Sequence, residues 1–265
     1  MSENPKTVVI EMRGVEVCSM RDTHLTALEN VDWTVASGEF WVVAGQEQSG
    51  KSDLMMMTAG LMTPTKGSCK LFGIETQDFG ESELADRLRV GFVFENGQLF
   101  NRLTIAENVA LPLQYHKDLT PGAAEEKART LLELMDLKPL ADVTPSNVGL
   151  SWLKRAALAR ALMLQPDLLL LDNPLNGLGA HHAKWWLNFL DQLWRGHEHF
   201  GGKPMTIVAT AEDLRAWKND ARRFALLRDK KFSLLGSWKE VASHDDTIIM
   251  ELMETSLETT MHRKE

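Results

Sequence analysis

Three observations predict an α/β fold in which a mostly parallel sheet is covered by helices on both faces and interrupted by a helical insertion. Short runs at residues 90–94, 168–171 and 206–209 are almost continuously apolar, as strands buried on both faces must be. The run Phe40-Trp41-Val42-Val43-Ala44 leads into a glycine-rich turn, after which residues 51–60 read as a helix. From 97 to 165 the pattern is helical: Leu131, Leu132, Leu134 and Met135 end one helix, and 153–164, rich in Ala, Leu and Arg, forms another. These readings divide the chain into a core of 1–96 and 166–243, a helical subdomain of 97–165 and a C-terminal helical tail of 244–265. A further strand is expected at 7–12. In the tail, Ile248, Ile249, Leu252, Met253 and Leu257 have the spacing of an amphipathic helix that packs back on its own domain.

At 265 residues the chain is long enough to bury a full core. Its 29 basic against 37 acidic residues leave a net charge of -8, the wrong sign for gripping nucleic acid over a broad face. Cys18 and Cys69 have neither disulfide nor metal-site spacing and read as buried free thiols, which suits a reducing cytosol. The polar N-terminus shows no signal peptide, and no stretch is apolar enough to cross a bilayer, so a soluble chain is expected. Work at a membrane would need a spanning partner.

Gly45-Gln46-Glu47-Gln48-Ser49-Gly50-Lys51-Ser52 fits the pattern G-x-x-x-x-G-K-[ST] between a strand and a helix. Its backbone N–H groups can cradle phosphate oxygens, with Lys51 adding a point charge and Ser52 a hydroxyl for Mg2+. The fold expected from this loop is a RecA-like P-loop NTPase core.

Beyond the loop, most of the chain resembles the ABC ATPase family. Gly60-Leu61-Met62-Thr63-Pro64-Thr65-Lys66-Gly67 is similar to the family's turn after the phosphate-loop helix. Arg155-Ala156-Ala157-Leu158-Ala159-Arg160-Ala161-Leu162 is similar to the helix after its signature. Residues 168–172 followed by Asn173-Pro174 resemble its Walker B strand. Asn101-Arg102-Leu103-Thr104-Ile105-Ala106-Glu107-Asn108-Val109-Ala110-Leu111-Pro112-Leu113 resembles the MCE (Mla-like) lipid-transporter ATPases within the family. The resemblance implies a homodimer or a heterodimer with an ABC paralogue. It also implies a membrane permease held through the region from Leu99 to Leu113, an MCE protein as a further partner, and a cytoplasmic place peripheral to the inner membrane.

The departures from the family concern its chemistry. Asp53 stands where the family has Thr or Ser near the α-phosphate; a carboxylate about 4 Å from a phosphate costs roughly 4 kcal/mol at an effective dielectric of 20. Glu95 replaces the Gln that senses Mg2+ and water, so the implied metal set is Ser52, Glu95 and Asp172. Asn173 replaces the catalytic Glu and Ala211 the switch His, leaving no catalytic residue in either place. Val148-Gly149-Leu150-Ser151-Trp152 stands for the signature, or Leu150-Ser151 begins it with Trp152 and Leu153 replacing the two glycines. Either way, bulky side chains meet the place where a facing phosphate approaches. Gly179 replaces the D-loop Asp, and no aromatic stands near Ser19 or Met20 for adenine.

The expectation is therefore a nucleotide-binding-domain subunit of an ABC transporter of lipid-transporting kind that does not hydrolyse ATP. Gly45 to Asp53 would bind ATP and Mg2+ weakly, with neither required. The competing reading is a working ATPase in which Glu95 or Glu212 supplies the base. A third, a soluble nucleotide-responsive protein with no transporter, is opposed by the segment 99–113. His181, His182, His197 and His199 read as solvated residues. Trp185, Trp186, Trp194 and Trp217 read as core or subunit-contact residues.

Overall fold

The computed structural model describes residues 7–80, 83–218 and 222–253. In chain order the elements are β1 (Val8–Cys18), β2 (Thr26–Ala36), β3 (Phe40–Gly45), α1 (Lys51–Thr58), β4 (Lys66–Leu71), β5 (Ile74–Glu75), α2 (Leu84–Arg87) and β6 (Val90–Val93). They continue with α3 (Ile105–His116), α4 (Pro121–Leu134), α5 (Leu150–Leu162), β7 (Leu168–Leu171), α6 (Ala180–Arg195) and β8 (Thr206–Ala211). The last are β9 (Arg223–Arg228), β10 (Lys231–Gly236), α7 (Trp238–Ala242) and α8 (Thr247–Met253).

Six strands form the main sheet in the order β10-β9-β3-β8-β7-β6, parallel except for the β9–β10 hairpin. This is the α/β core that the apolar runs predict. A second, antiparallel sheet has the order β2-β1-β4-β5. Residues 1–96 thus feed two sheets where the sequence reading saw one. In β2 the signal was alternation, with Val31, Trp33 and Val35 buried and Asp32 and Thr34 exposed.

Side chains of β3 alternate between two apolar clusters. Trp41 and Val43 join β1, β2 and α1 between the sheets, while Phe40, Val42 and Ala44 face the helices on the other side. Helix α1 is sandwiched: Leu54, Met55 and Met57 are fully buried, each contributing about 1.5–3 kcal/mol. That seat fixes the loop at its N-terminus.

Helix α3 starts at a capping box between Thr104 and Glu107, and α4 at Thr120 with Pro121 in its first turn. Their buried residues share one cluster with the main sheet, so the helical segment is continuous with the core. In α8, Ile249 and Leu252 are buried, and the Leu252 carbonyl accepts the Leu214 N–H at 2.9 Å. As far as Met253 the tail packs back on its domain. Residues 254–265, Leu257 among them, lie outside the described residues. Cys18 and Cys69 are buried free thiols, and burial pushes the Cys69 thiol up to about 11. Trp186 and Trp217 are core; Trp185 and Trp194 are partly buried against it. Among the described residues, no helix is long and apolar enough to cross a membrane.

Candidate nucleotide site

The parallel strands deliver their C-terminal ends to one edge, where open α/β sheets place ligands. Gly45 ends β3, Asp172 and Asn173 follow β7, Ala211 ends β8 with Glu212 next, and Glu95 follows β6. The order β3-β8-β7-β6 therefore sets the phosphate loop beside the other candidate residues.

The loop has the form a phosphate cradle requires. A Cβ on Gly45 would lie 2.4 Å from Ser49 Oγ and 3.0 Å from the Leu227 carbonyl, so the backbone can close only with glycine there. Gly50 caps α1 at φ 91°, and Gln48 is also left-handed at φ 63°. Lys51, 6% exposed, turns back into the loop: Nζ donates to the carbonyls of Gly45 at 2.8 Å and Gln46 at 2.6 Å. It also lies 3.5 Å from Ser49 Oγ and 3.3 Å from Glu212 Oε1. At the rim, Gln46 Nε2 donates to Glu251 Oε2 of α8 at 3.1 Å.

Asp53 is already engaged: Oδ1 accepts the Met20 N–H at 2.7 Å, tying α1 to the turn after β1. The charge expected to oppose the α-phosphate thus has a backbone donor of its own. Met20 is 48% exposed, and no aromatic stands with it in this turn.

Asp172 is 7% exposed and accepts hydrogen bonds from the Thr210 hydroxyl at 3.0 Å and from Ser52. Burial raises its carboxyl above the ordinary value, while these two hydroxyls and Lys51 pull the other way and Glu95 adds to the rise. Ser52 therefore adjoins Asp172, and Glu95 is close enough for its charge to act on Asp172. Glu95 Oε1 itself accepts two side-chain amides, Asn173 Nδ2 at 3.0 Å and Asn176 Nδ2 at 2.8 Å. These residues fit a nucleotide phosphate with its metal. Among the described residues, no group of three or more His, Cys, Asp or Glu side chains could hold a metal ion by itself.

Asn173 is buried with φ 44°, a conformation Asn tolerates better than most residues, and its N–H donates to Thr210 Oγ1 at 2.7 Å. Ala211 is 3% exposed and contributes only a methyl group to a cavity of about 280 Å³ that Asn173, Thr210, Glu212 and Trp217 also line.

Two participants escaped the sequence reading. Thr210 braces both Asp172 and Asn173. Lys154, 1% exposed, donates to the carbonyls of Asn173 at 3.0 Å and Asn176 at 2.7 Å and lies 3.5 Å from that of Pro174. Burial lowers its ammonium to about 8 against the opposing pull of Glu95 and Asp172. A Lys inside an Ala- and Leu-rich helix was the available signal for it.

At the signature position, Gly149 is the N-cap of α5 in an extended conformation and Leu150 is the first helical residue, 40% exposed. Trp152 is partly buried. Its ring lies 4.6 Å from the Arg155 guanidinium carbon and edge-on to His182 at 4.9 Å, and Arg155 stacks at 3.7 Å on Trp185. Leu150 is therefore the more exposed bulky side chain there, with Trp152 partly buried against Arg155 and His182. His182, expected to be solvated, is part-buried 3.3 Å from Arg155, and burial first, then that guanidinium, lowers its pKa.

Of the segment 99–113, most of α3 is core: Ile105, Ala106, Asn108, Val109, Ala110 and Leu113 are buried. Asn108 holds the preceding turn, accepting the Phe100 N–H at 2.7 Å and donating to the carbonyls of Phe100, Leu103 and Thr104. The free surface is narrower than expected and centres on Phe100, 60% exposed, with Asn101 and Arg102.

A family model described as ABC transporter matches residues 28–176. The chain is 34% identical over 230 residues to a probable sulfate/thiosulfate import ATP-binding protein of Chlorella vulgaris, covering 87% of this chain and 93% of that one. It is 31% identical over 221 residues to the sulfate/thiosulfate import ATP-binding protein of Nephroselmis olivacea, of which it spans only 61%. Over 66% of its length it is 33% identical to the ABC transporter ATP-binding protein YtrE of Bacillus subtilis. Among solved structures, the dimeric post-hydrolysis state of an ATP-binding cassette bound to ADP and Pi matches with a TM-score of 0.73 at 28% identity, over 84% of this chain and 95% of that one. None of these relatives is named for lipid transport, so the expected kinship with MCE-type ATPases finds no support among them.

Proposed function

Because the chain belongs to the ABC transporter family as a nucleotide-binding subunit, we propose that it binds nucleotide at its phosphate loop without hydrolysing it and acts as a structural or regulatory subunit. One observation carries the reading. Asn173, the residue after Asp172, is buried and donates its amide to Glu95, so the side chain at that position cannot take a proton from water. Two carboxylates stand nearby, Glu95, whose Oε1 accepts two amides, and Glu212, paired with Lys51; on this reading Glu95 serves the metal and Glu212 the ammonium, and neither is assigned as the base. Ala211 offers no donor to a terminal phosphate.

Gly45 to Asp53 would hold the phosphates, and Ser52, Asp172 and Glu95 the Mg2+. When bound, the metal neutralises phosphate charge; the protein's part is to orient the phosphates with loop N–H groups and Lys51. The proposed partner is a membrane permease seated at Phe100, Asn101 and Arg102, which would place the chain on the cytoplasmic face of a membrane, as a homodimer or beside a paralogue. The lipid reading rests on the resemblance of 101–113 alone, whereas two of the relatives are named for sulfate/thiosulfate import. In either case the solute is chosen by the spanning partner.

The test is co-purification from the native host with and without Mg-ATP. Retention of the permease in both samples, lost on Phe100→Ala with Arg102→Ala, supports the proposal. Absence of a permease from the wild-type sample, or its retention by the double variant, would contradict the proposed seat.

A further inference from the structure

Resting on the reading that the loop binds nucleotide, we propose that Glu212 makes this site selective for a nucleoside diphosphate over a triphosphate. In a loop of this type the Lys ammonium meets the β- and γ-phosphates. Here the Glu212 carboxylate lies 3.3 Å from that ammonium, so Lys51 carries an anion supplied by the chain. Lys51 is buried and its other contacts are the carbonyls of Gly45 and Gln46 and the hydroxyl of Ser49. Glu212 is therefore its one side-chain anion within ion-pair distance among the described residues.

Two features of the β8 end act on the same phosphate. A diphosphate needs the loop N–H groups and one face of Lys51. A terminal phosphate must also displace Glu212 or lie beside it, and like charges a few ångströms apart repel strongly in a part-buried site. Ala211, next to Glu212, returns no hydrogen bond in compensation. Nor does the surrounding charge help: Asp172 and Glu95 lie on the β7 and β6 side, and Glu251 holds Gln46 at the rim. Because the loop N–H groups also hold the first two phosphates, we assign the larger share of the penalty to the third.

Calorimetric titration of wild type, Glu212→Gln and Glu212→Ser with Mg-ADP and Mg-ATP tests this, with matching thermal melts as the folding control. Wild type should favour ADP by about tenfold or more. Both variants should tighten ATP by about tenfold while ADP shifts less than about threefold, a difference of about 1.4 kcal/mol confined to the triphosphate. Wild-type preference for ATP, equal tightening of both nucleotides, or no binding of either would overturn the inference. Phosphate release measured in parallel separates the two readings. Turnover together with ADP preference would sink the hydrolysis-deficient reading and leave this one standing.

Discussion

Glu95 accepts the side-chain amide of Asn173 at 3.0 Å, so the residue beside the Asp172 carboxylate is a hydrogen-bond donor whose partner is itself an acid. Replacing Asn173 by Glu would set two carboxylates in contact, one of them buried. Asn173→Glu should therefore cost about 1–3 kcal/mol of stability without restoring turnover. The loss should be larger at pH 8 than at pH 5, because protonation of one acid relieves the repulsion. Urea melts at the two pH values check it; an unchanged midpoint would contradict the contact.

Lys154 gives a second pH signature. Its ammonium is lowered by burial to about 8 from an ordinary 10.5, so between those values the unfolded chain holds a proton that the native chain has released. This group alone makes stability rise with pH across that window. Lys154→Met should abolish that contribution. It should also cost about 2–3 kcal/mol, because the carbonyls of Asn173 and Asn176 lose their donor. The difference between wild-type and variant urea midpoints from pH 7.5 to 10.5 is the readout.

Asp53 was expected to weaken nucleotide binding through its charge. Its hydrogen bond from the Met20 N–H offsets part of that charge. Asp53→Asn, which keeps an acceptor, should tighten nucleotide by about tenfold at most, well short of the ~4 kcal/mol of an unpaired carboxylate 4 Å away. Calorimetry decides it, and a thousandfold gain would show that the Met20 bond provides no relief.

The seat of α8 is tested by Leu252→Ala. Leu252 is 6% exposed and its carbonyl holds Leu214, just beyond Glu212. Truncation should cost about 2–4 kcal/mol in denaturant melts. A loss below about 0.5 kcal/mol would show that the helix is not docked.

What the sequence disclosed followed the strength of its signals. The strands β7 and β8 and the phosphate loop were legible because apolar runs and the G-x-x-x-x-G-K-S string depend on near neighbours. The antiparallel sheet was not, since half-buried strands such as β2 carry polar residues at every second place. The partners of the site residues were also hidden. Nothing local to Asp53 points to Met20, 33 positions away, and nothing local to Lys154 points to the Asn176 carbonyl. The bulk of Trp152 was visible while the Arg155 and His182 surfaces it packs against were not.

The most direct measurement is steady-state phosphate release from Mg-ATP by purified wild type, with Lys51→Ala as the control for contaminating ATPase. With Asn173 donating to Glu95, Glu212 on Lys51 and Ala211 where a donor would stand, turnover should equal that of the control. A wild-type rate above about 0.1 per second that disappears with Lys51→Ala would contradict the account, since working enzymes run at roughly 1 per second or faster.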